Sequence, residues 1–209
     1  MTSPNRFEEF YRTGEPPWVI GEPQPAVVEL ERAGGITGPV LDLGCGTGEH
    51  TILLSRLGYR VLGADSAPAA VERARARAEA AGVPAEFAVA DAMDPGELGR
   101  YATVLDSALF HVFDAEDRAR YAEALTGAVV PGGQVVVLAL STRGPGFGPQ
   151  IDDDAITGAF TGPSWRMESL VESTYRGRVT NPDHAAATGQ AVGDLVDLPA
   201  VVARIRHVA

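Results

Sequence analysis

PVLDLGCGTGEH, residues 39–50, is the stretch that decides the fold. A short apolar run ends in glycine at position 44, and two more glycines follow at 46 and 48. A short, mostly apolar run of this kind suits a strand buried on both faces of a parallel sheet. The glycine-rich turn then feeds residues 49–57, where apolar Ile52, Leu53 and Leu54 sit among polar neighbours and predict a helix.

The same strand–helix alternation repeats outward. YRVLGAD (59–65) reads as a strand, and APAAVERARARAEAAG (67–82) as a helix with Pro68 in its first turn and Gly82 past its end. AEFAVADA (85–92) and ATVLDSA (102–108) read as strands, AEDRARYAEALTGAV (115–129) as a helix closed by PGG, and QVVVLAL (134–140) as a fifth strand. This predicts an α/β fold with a mostly parallel sheet and helices on both faces. Ligands bind such sheets beyond the carboxyl ends of the strands.

Beyond Leu140 the pattern weakens. STRGPGFGPQIDDD (141–154) reads as a long loop with a solvated Asp152–Asp154 charge run, WRMESLVESTYRG (165–177) as a sixth strand, and 181–200 shows no period. VVARIRHV (201–208) alternates as a last strand, with Arg204 and Arg206 on one face and Ala203 and Ile205 on the other. At the other end, PPWVIGEPQP (16–25) holds four prolines and Trp18 ahead of a helix beginning near Gln24. Prolines limit the entropy this segment loses on ordering, so it reads as a lid carrying a stiff aromatic plate. An arm anchored in a surface groove is the alternative.

The chain has 209 residues, a net charge of -11 and a single cysteine, Cys45. One domain over 1–209 is expected: an N-terminal lid and helix (1–37), a cofactor-binding core (38–140), and a substrate-side loop with the terminal strands (141–209). The longest apolar run, VVVLAL, is too short for a membrane span, which needs about 20 residues. A lone cysteine and no leader-like segment point to the cytoplasm. The acidic balance argues against nucleic acid as substrate. Arg73, Arg75 and Arg77 read as a solvated helix face. The reading leaves room for a homo-oligomer.

A dinucleotide turn reads G-x-G-x-x-G. Here Glu49 stands where the last glycine belongs, and its carboxylate would repel a pyrophosphate, so NAD is disfavoured. Asp42, Asp65 and Asp91 fall at one edge of the predicted sheet. They describe a negatively charged nucleoside pocket, suited to a ligand with positive charge and no phosphate.

DLGCGTG, the strand-end Asp65 and the DA at 91–92 resemble the class I S-adenosylmethionine-dependent methyltransferases. PPWVIGEPQP, DSALFHVF and STRGPGFGPQ are similar to a bacterial group of small-molecule methyltransferases related to the thiopurine-methyltransferase type. Ala108 stands where that group more often has glycine, and Ser141–Arg143 and Gly148–Gln150 depart from its pattern. The resemblance implies a three-layer α/β/α sandwich with seven strands, the last antiparallel, and S-adenosylmethionine as cofactor. It places Trp18, Asp42, Gly44, Gly46, Thr47, Gly48, Asp65, Ser66, Asp91, Ala92, Met93, Asp106 and Ser107 around that cofactor. It implies a phenolic, quinol-like, heterocyclic or thiol acceptor.

For a phenol-like acceptor the candidate base is His111, which follows the fourth strand and would titrate near 6.5. The alternative is a histidine that packs the loop or touches the cofactor. Phe110, Phe113 and Arg143 are the candidate acceptor contacts. His50 reads as cofactor-side packing, Cys45 as small-residue packing, and no metal site is expected. Transfer to oxygen or nitrogen of an aromatic acceptor leads. Thiol or halide methylation, and a cofactor-binding protein without transfer, are the alternatives.

Overall fold

The computed structural model describes residues 4–208. Helix α1 (Pro4–Thr13) and α2 (Pro25–Arg32) precede β1 (Val40–Leu43), α3 (Glu49–Arg56), β2 (Val61–Asp65), α4 (Pro68–Ala80), β3 (Glu86–Val89) and β4 (Tyr101–Ser107). Then come α5 (Ala115–Ala128), β5 (Val129–Leu140), α6 (Asp153–Ala159), β6 (Trp165–Arg178), α7 (Pro182–Thr188) and β7 (Leu195–His207).

The seven strands lie in the order β3-β2-β1-β4-β5-β7-β6. β1 pairs in parallel with both β2 and β4, so the chain order reverses across β1 and opens a crevice at the strand ends there. β7 alone runs against the rest, antiparallel to both β5 and β6. Neighbouring residues on one strand serve opposite faces, as the period of two requires. Val104, Val135 and Val137 join the cluster under α5 and α6, with Tyr121, Leu125 and Ile156. Leu105, Val136 and Leu138 join the cluster under α2 and α3, with Val27 and Leu54.

Several expectations are corrected. β5 begins at Val129, so Pro131–Gly133 lies inside it; there the register with β4 shifts between Tyr101 and Thr103. The loop after Leu140 is shorter than expected, because Ser141 bridges Ile151 and Asp152 caps α6, accepting from the Ala155 amide. The patternless 181–200 holds α7 and the start of β7. The arginines of α4 lie on a face that reaches solvent, as expected, but they are also tethered. Arg73 donates to the Tyr11 and Gly14 carbonyls, Arg75 to that of Phe87, and Arg77 to the Glu49 carboxylate.

Ala108 is the one non-glycine residue with positive φ among the described residues, at 68°. That region costs an L-residue about 1–2 kcal/mol, while glycine gives back about 0.5–1 kcal/mol through the unfolded chain. Ala108→Gly should therefore stabilise by up to about 1 kcal/mol and raise Tm by about 2–4 °C. Thermal unfolding checks this; a lower Tm would show that the packed methyl outweighs the strain.

Candidate active site

A cavity of about 780 Å³ opens at the carboxyl ends of β1, β2 and β4. Its floor is the glycine turn. The Gly44 and Cys45 amides donate to the Ala64 carbonyl, which ties the turn to β2. Asp65 completes it: Oδ2 accepts from the Gly46 amide at 2.9 Å and Oδ1 from the Ala67 amide at 2.9 Å. Burial raises the Asp65 pKa, and these amides pull it back. A side chain at Gly46 would stand 2.9 Å from the Tyr11 hydroxyl, so the backbone there is left bare. Thr47 donates to Glu49, whose carboxylate also holds Arg77 at 2.7 Å.

Ser66 lies beyond β2 on the wall, with Asp91, Ala92 and Met93 beyond β3. Asp91 Oδ1 accepts from the Met93 amide and folds that turn tightly. Ser107 ends β4, and its buried hydroxyl has no hydrogen-bond partner among the described residues. Such a group costs about 1–3 kcal/mol until something fills the site. Among the described residues six carboxylates line the cavity (Glu15, Glu22, Glu49, Asp65, Asp91, Asp117) against one guanidinium, Arg120, and Glu15, Glu22 and Glu49 pair with Arg73, Arg176 and Arg77 from outside the lining. Arg120 is itself paired with Asp117 at 2.9 Å. A bare glycine cradle, an orphan hydroxyl and a negative wall fit a cationic nucleoside such as S-adenosylmethionine.

The proline-rich segment forms the rim. Trp18 donates from Nε1 to the Tyr11 hydroxyl at 2.8 Å, and Phe7, Phe10 and Tyr11 of α1 meet its ring edge-on. The segment is laced to β6. The Arg178 amide donates to the Pro17 carbonyl at 2.7 Å, and the buried Gln24 amide exchanges two hydrogen bonds with the Arg176 backbone. The Gln24 backbone N–H donates to His50 Nε2 at 3.1 Å.

His111, Phe113, Phe147 and His184 also line the cavity. His111 Nδ1 accepts from the Leu140 amide at 3.1 Å. Its proton therefore sits on Nε2. Burial, helped by Arg118, pushes its pKa down to about 4, which corrects the expected titration near 6.5. The His184 ring stacks on Phe147 at 4.0 Å and 14°, and Phe147 also lies against Gly177.

Five residues expected at the site do not line the cavity. Asp42 is buried and accepts from Thr51 at 2.6 Å, pinning α3 to β1. Gly48 allows close packing, since a Cβ there would stand 2.9 Å from Ala74 and Phe87. Asp106 points into the core, accepting from the Leu109 and Phe110 amides and the Tyr121 hydroxyl. Phe110 is fully buried and stacks on Phe160. Arg143 pairs with Asp153 and Glu172 outside. Trp18, Gly44, Gly46, Thr47, Asp65, Ser66, Asp91, Ala92, Met93, Ser107, His111 and Phe113 are brought together. Sequence reasoning missed Gln24, Phe147, His184 and the α1 aromatics. Only the last left a signal, Phe7, Phe10 and Tyr11 at helical spacing.

A seven-stranded sheet with one reversed strand and this cavity at its glycine turn define an S-adenosylmethionine-dependent methyltransferase. Comparison with known proteins agrees. Residues 40–133 match the family described as a methyltransferase domain. The 2-heptyl-1-hydroxyquinolin-4(1H)-one methyltransferase of Mycobacteroides abscessus is 36% identical over 155 residues, 70% of this chain and 67% of that protein. A ubiquinone biosynthesis O-methyltransferase of a Methylobacterium species is 37% identical over 106 residues, 49% of this chain but only 40% of that protein. A solved structure from the conversion of a disulfide bond into a thioacetal group during echinomycin biosynthesis is 36% identical. It superposes with a TM-score of 0.86 over 98% of this chain and 91% of its own. The chain belongs to the class I S-adenosylmethionine-dependent methyltransferases. Among the described residues no helix is long and apolar enough to cross a membrane.

Proposed function

We propose that this methyltransferase acts on a hydroxyl oxygen of a small, flat aromatic or heterocyclic acceptor. The observation that carries this is the lining of the cavity, where Phe113 and the Phe147–His184 stack supply aromatic surface and His111 supplies a polar ring. Such walls suit a planar apolar body with one polar edge. The quinolone and ubiquinone enzymes support the same class by their names. A sulfur acceptor is the second reading, favoured by the relative of disulfide-to-thioacetal conversion.

S-adenosylmethionine, when bound, supplies a methyl group already activated on a sulfonium. The chain's task is then to hold, align and keep water out, which is worth about 7–11 kcal/mol of the barrier. Asp65 holds the glycine turn and faces the ribose end. The Ser107 hydroxyl offers its unused hydrogen bond, and the Trp18 rim, fastened to β6 through Gln24, covers the opening.

Asp65→Ala should weaken S-adenosylmethionine binding about ten- to a hundredfold, the worth of a hydrogen bond to a charged group. Calorimetry on the folded variant measures this, and unchanged affinity would remove Asp65 from the site. The acceptor class is read by methyl-labelled cofactor with a panel of phenols, N-hydroxyquinolones, amines and thiols. Label in an aryl ether or N-methoxy product supports the proposal, and label in a thioether favours the second reading. Cofactor binding with no transfer to any member would point to a protein that binds without transferring.

A further inference from the structure

We propose that His111 is a fixed N–H donor to the acceptor oxygen, not a base, and that the acceptor is therefore a hydroxyl acidic enough to ionise before transfer, such as an N-hydroxy heteroarene. This rests on the aromatic-hydroxyl reading above and narrows it.

The geometry points this way from one bond. The Leu140 amide lies in β5 and donates to Nδ1 at 3.1 Å. To act as a base toward the cavity, Nε2 would need its lone pair free, which moves the ring proton to Nδ1. Two N–H groups would then face each other in a site where His111 is only 5% exposed. A buried amide that loses its acceptor is costly, so the tautomer is held. The ring edge left for the cavity is the Nε2–H, a donor.

The surrounding charges do not reverse this. From α5, Arg118 opposes a second proton on His111, and Asp117 is spent on Arg120. From β4, Asp106 is turned into the core. Asp65 and Asp91 are bound to backbone amides of their own turns. His184, whose Nδ1 lies 3.1 Å from the Thr180 hydroxyl, also lines the cavity and is the rival base that the test must separate.

The chemistry balances without proton transfer by the chain. The acceptor loses its proton to water before transfer. Its oxygen then forms the bond to the methyl carbon while the carbon–sulfur bond breaks with its electron pair to sulfur. The anion's charge and the sulfonium's charge cancel, and the Nε2–H holds the anion in place meanwhile. A charge-assisted hydrogen bond of this kind favours the anion over the neutral hydroxyl about ten- to a hundredfold.

The test uses the full chain with S-adenosylhomocysteine bound and two readouts besides turnover. Nitrogen NMR on histidine-labelled protein should show His111 protonated at Nε2 alone and untitrated from pH 5.5 to 9, consistent with a pKa of about 4. 4-Nitrophenol, whose visible band reports its ionisation, should bind as the phenolate with an apparent pKa about one to two units lower than in water. His111→Ala should abolish that shift, and His111→Gln, which keeps an N–H donor but cannot act as a base, should retain most of it. In turnover, His111→Gln should far exceed His111→Ala, the rate limb should follow each acceptor's own pKa, and His184→Gln should leave that limb in place. A His111 protonated at Nδ1, a His111→Gln variant as impaired as His111→Ala, or a limb lost in His184→Gln would each overturn the proposal. An Nε2-protonated His111 in a protein that binds neither 4-nitrophenol nor 1-hydroxyquinolin-4(1H)-one would leave His111 as assigned. It would overturn the aromatic-acceptor reading, and the acceptor class with it.

Discussion

Asp106→Ala should lower stability by about 3–5 kcal/mol, and Tm by about 6–20 °C. The carboxylate accepts from the Leu109 amide at 3.1 Å, the Phe110 amide at 3.0 Å and the Tyr121 hydroxyl at 2.8 Å. Phe110 and Tyr121 are both wholly buried, so water cannot replace the lost acceptor. Each orphaned donor costs about 1–3 kcal/mol; the variant also sheds the desolvation burden of the buried carboxyl, which partly offsets the sum. Asp106→Asn keeps one carbonyl oxygen for the two amides and can donate to the Tyr121 oxygen, so it should cost less than half as much. Equal losses for Ala and Asn in denaturant unfolding would refute the hydrogen-bond account. The same turn carries Ala108, Leu109 and His111, so Asp106→Ala should also loosen the cavity wall. Asp106 thus supports the site from behind without touching a ligand.

Thermal stability of the native protein should stay nearly flat between pH 6.5 and 4. Burial raises Asp42 and Asp106 from 3.8 to about 6. The folded state binds their protons more readily than the unfolded state does. Their contribution is therefore fully present below pH 4 and is lost as pH rises through 6. Burial lowers His50 and His111 from 6.5 to about 4. Their contribution runs the other way, present above pH 6.5 and lost as pH falls through 4. Each group is worth about 3 kcal/mol across the window, so two carboxyls and two histidines nearly cancel. Single variants should unmask the slopes. Asp42→Asn removes one acid-stabilised group, so its Tm should fall relative to native by about 6–12 °C on going from pH 6.5 to 4. His50→Gln keeps an acceptor for the Gln24 amide and should show a rise of similar size. Tm measured every half pH unit decides it. Two variants that stay as flat as the native protein would show that these groups titrate alike in both states.

The local signals were strongest between residues 39 and 140. There each strand is a short apolar run, each helix has a period, and glycine or proline marks the joins, all properties of a few neighbouring residues. The mostly parallel sheet followed from that alternation, and the seven strands with the last reversed from the family resemblance; the order of the strands came only with the structure. Beyond Leu140 the signal faded for a physical reason. β6 is an edge strand with much of its length half-exposed, and α7 is a single short helix with no buried residue, so neither needs a regular apolar pattern.

At the cavity, residue type and strand-end position were legible, but direction was not. Asp106 and Ser107 are neighbours, yet one is turned into the core and the other onto the cavity wall. Glycines at 46 and 48 look alike in the sequence. One leaves room beside Tyr11, and the other lets α4 and β3 approach. His111 shows the division most clearly. Its identity and its place after the fourth strand are properties of the chain as written, and they marked it as a group of the site. Which of its nitrogens carries the proton depends on the Leu140 amide, 29 residues away. A tautomer is set by the partner across space, and that partner arrives only when β5 lies beside β4.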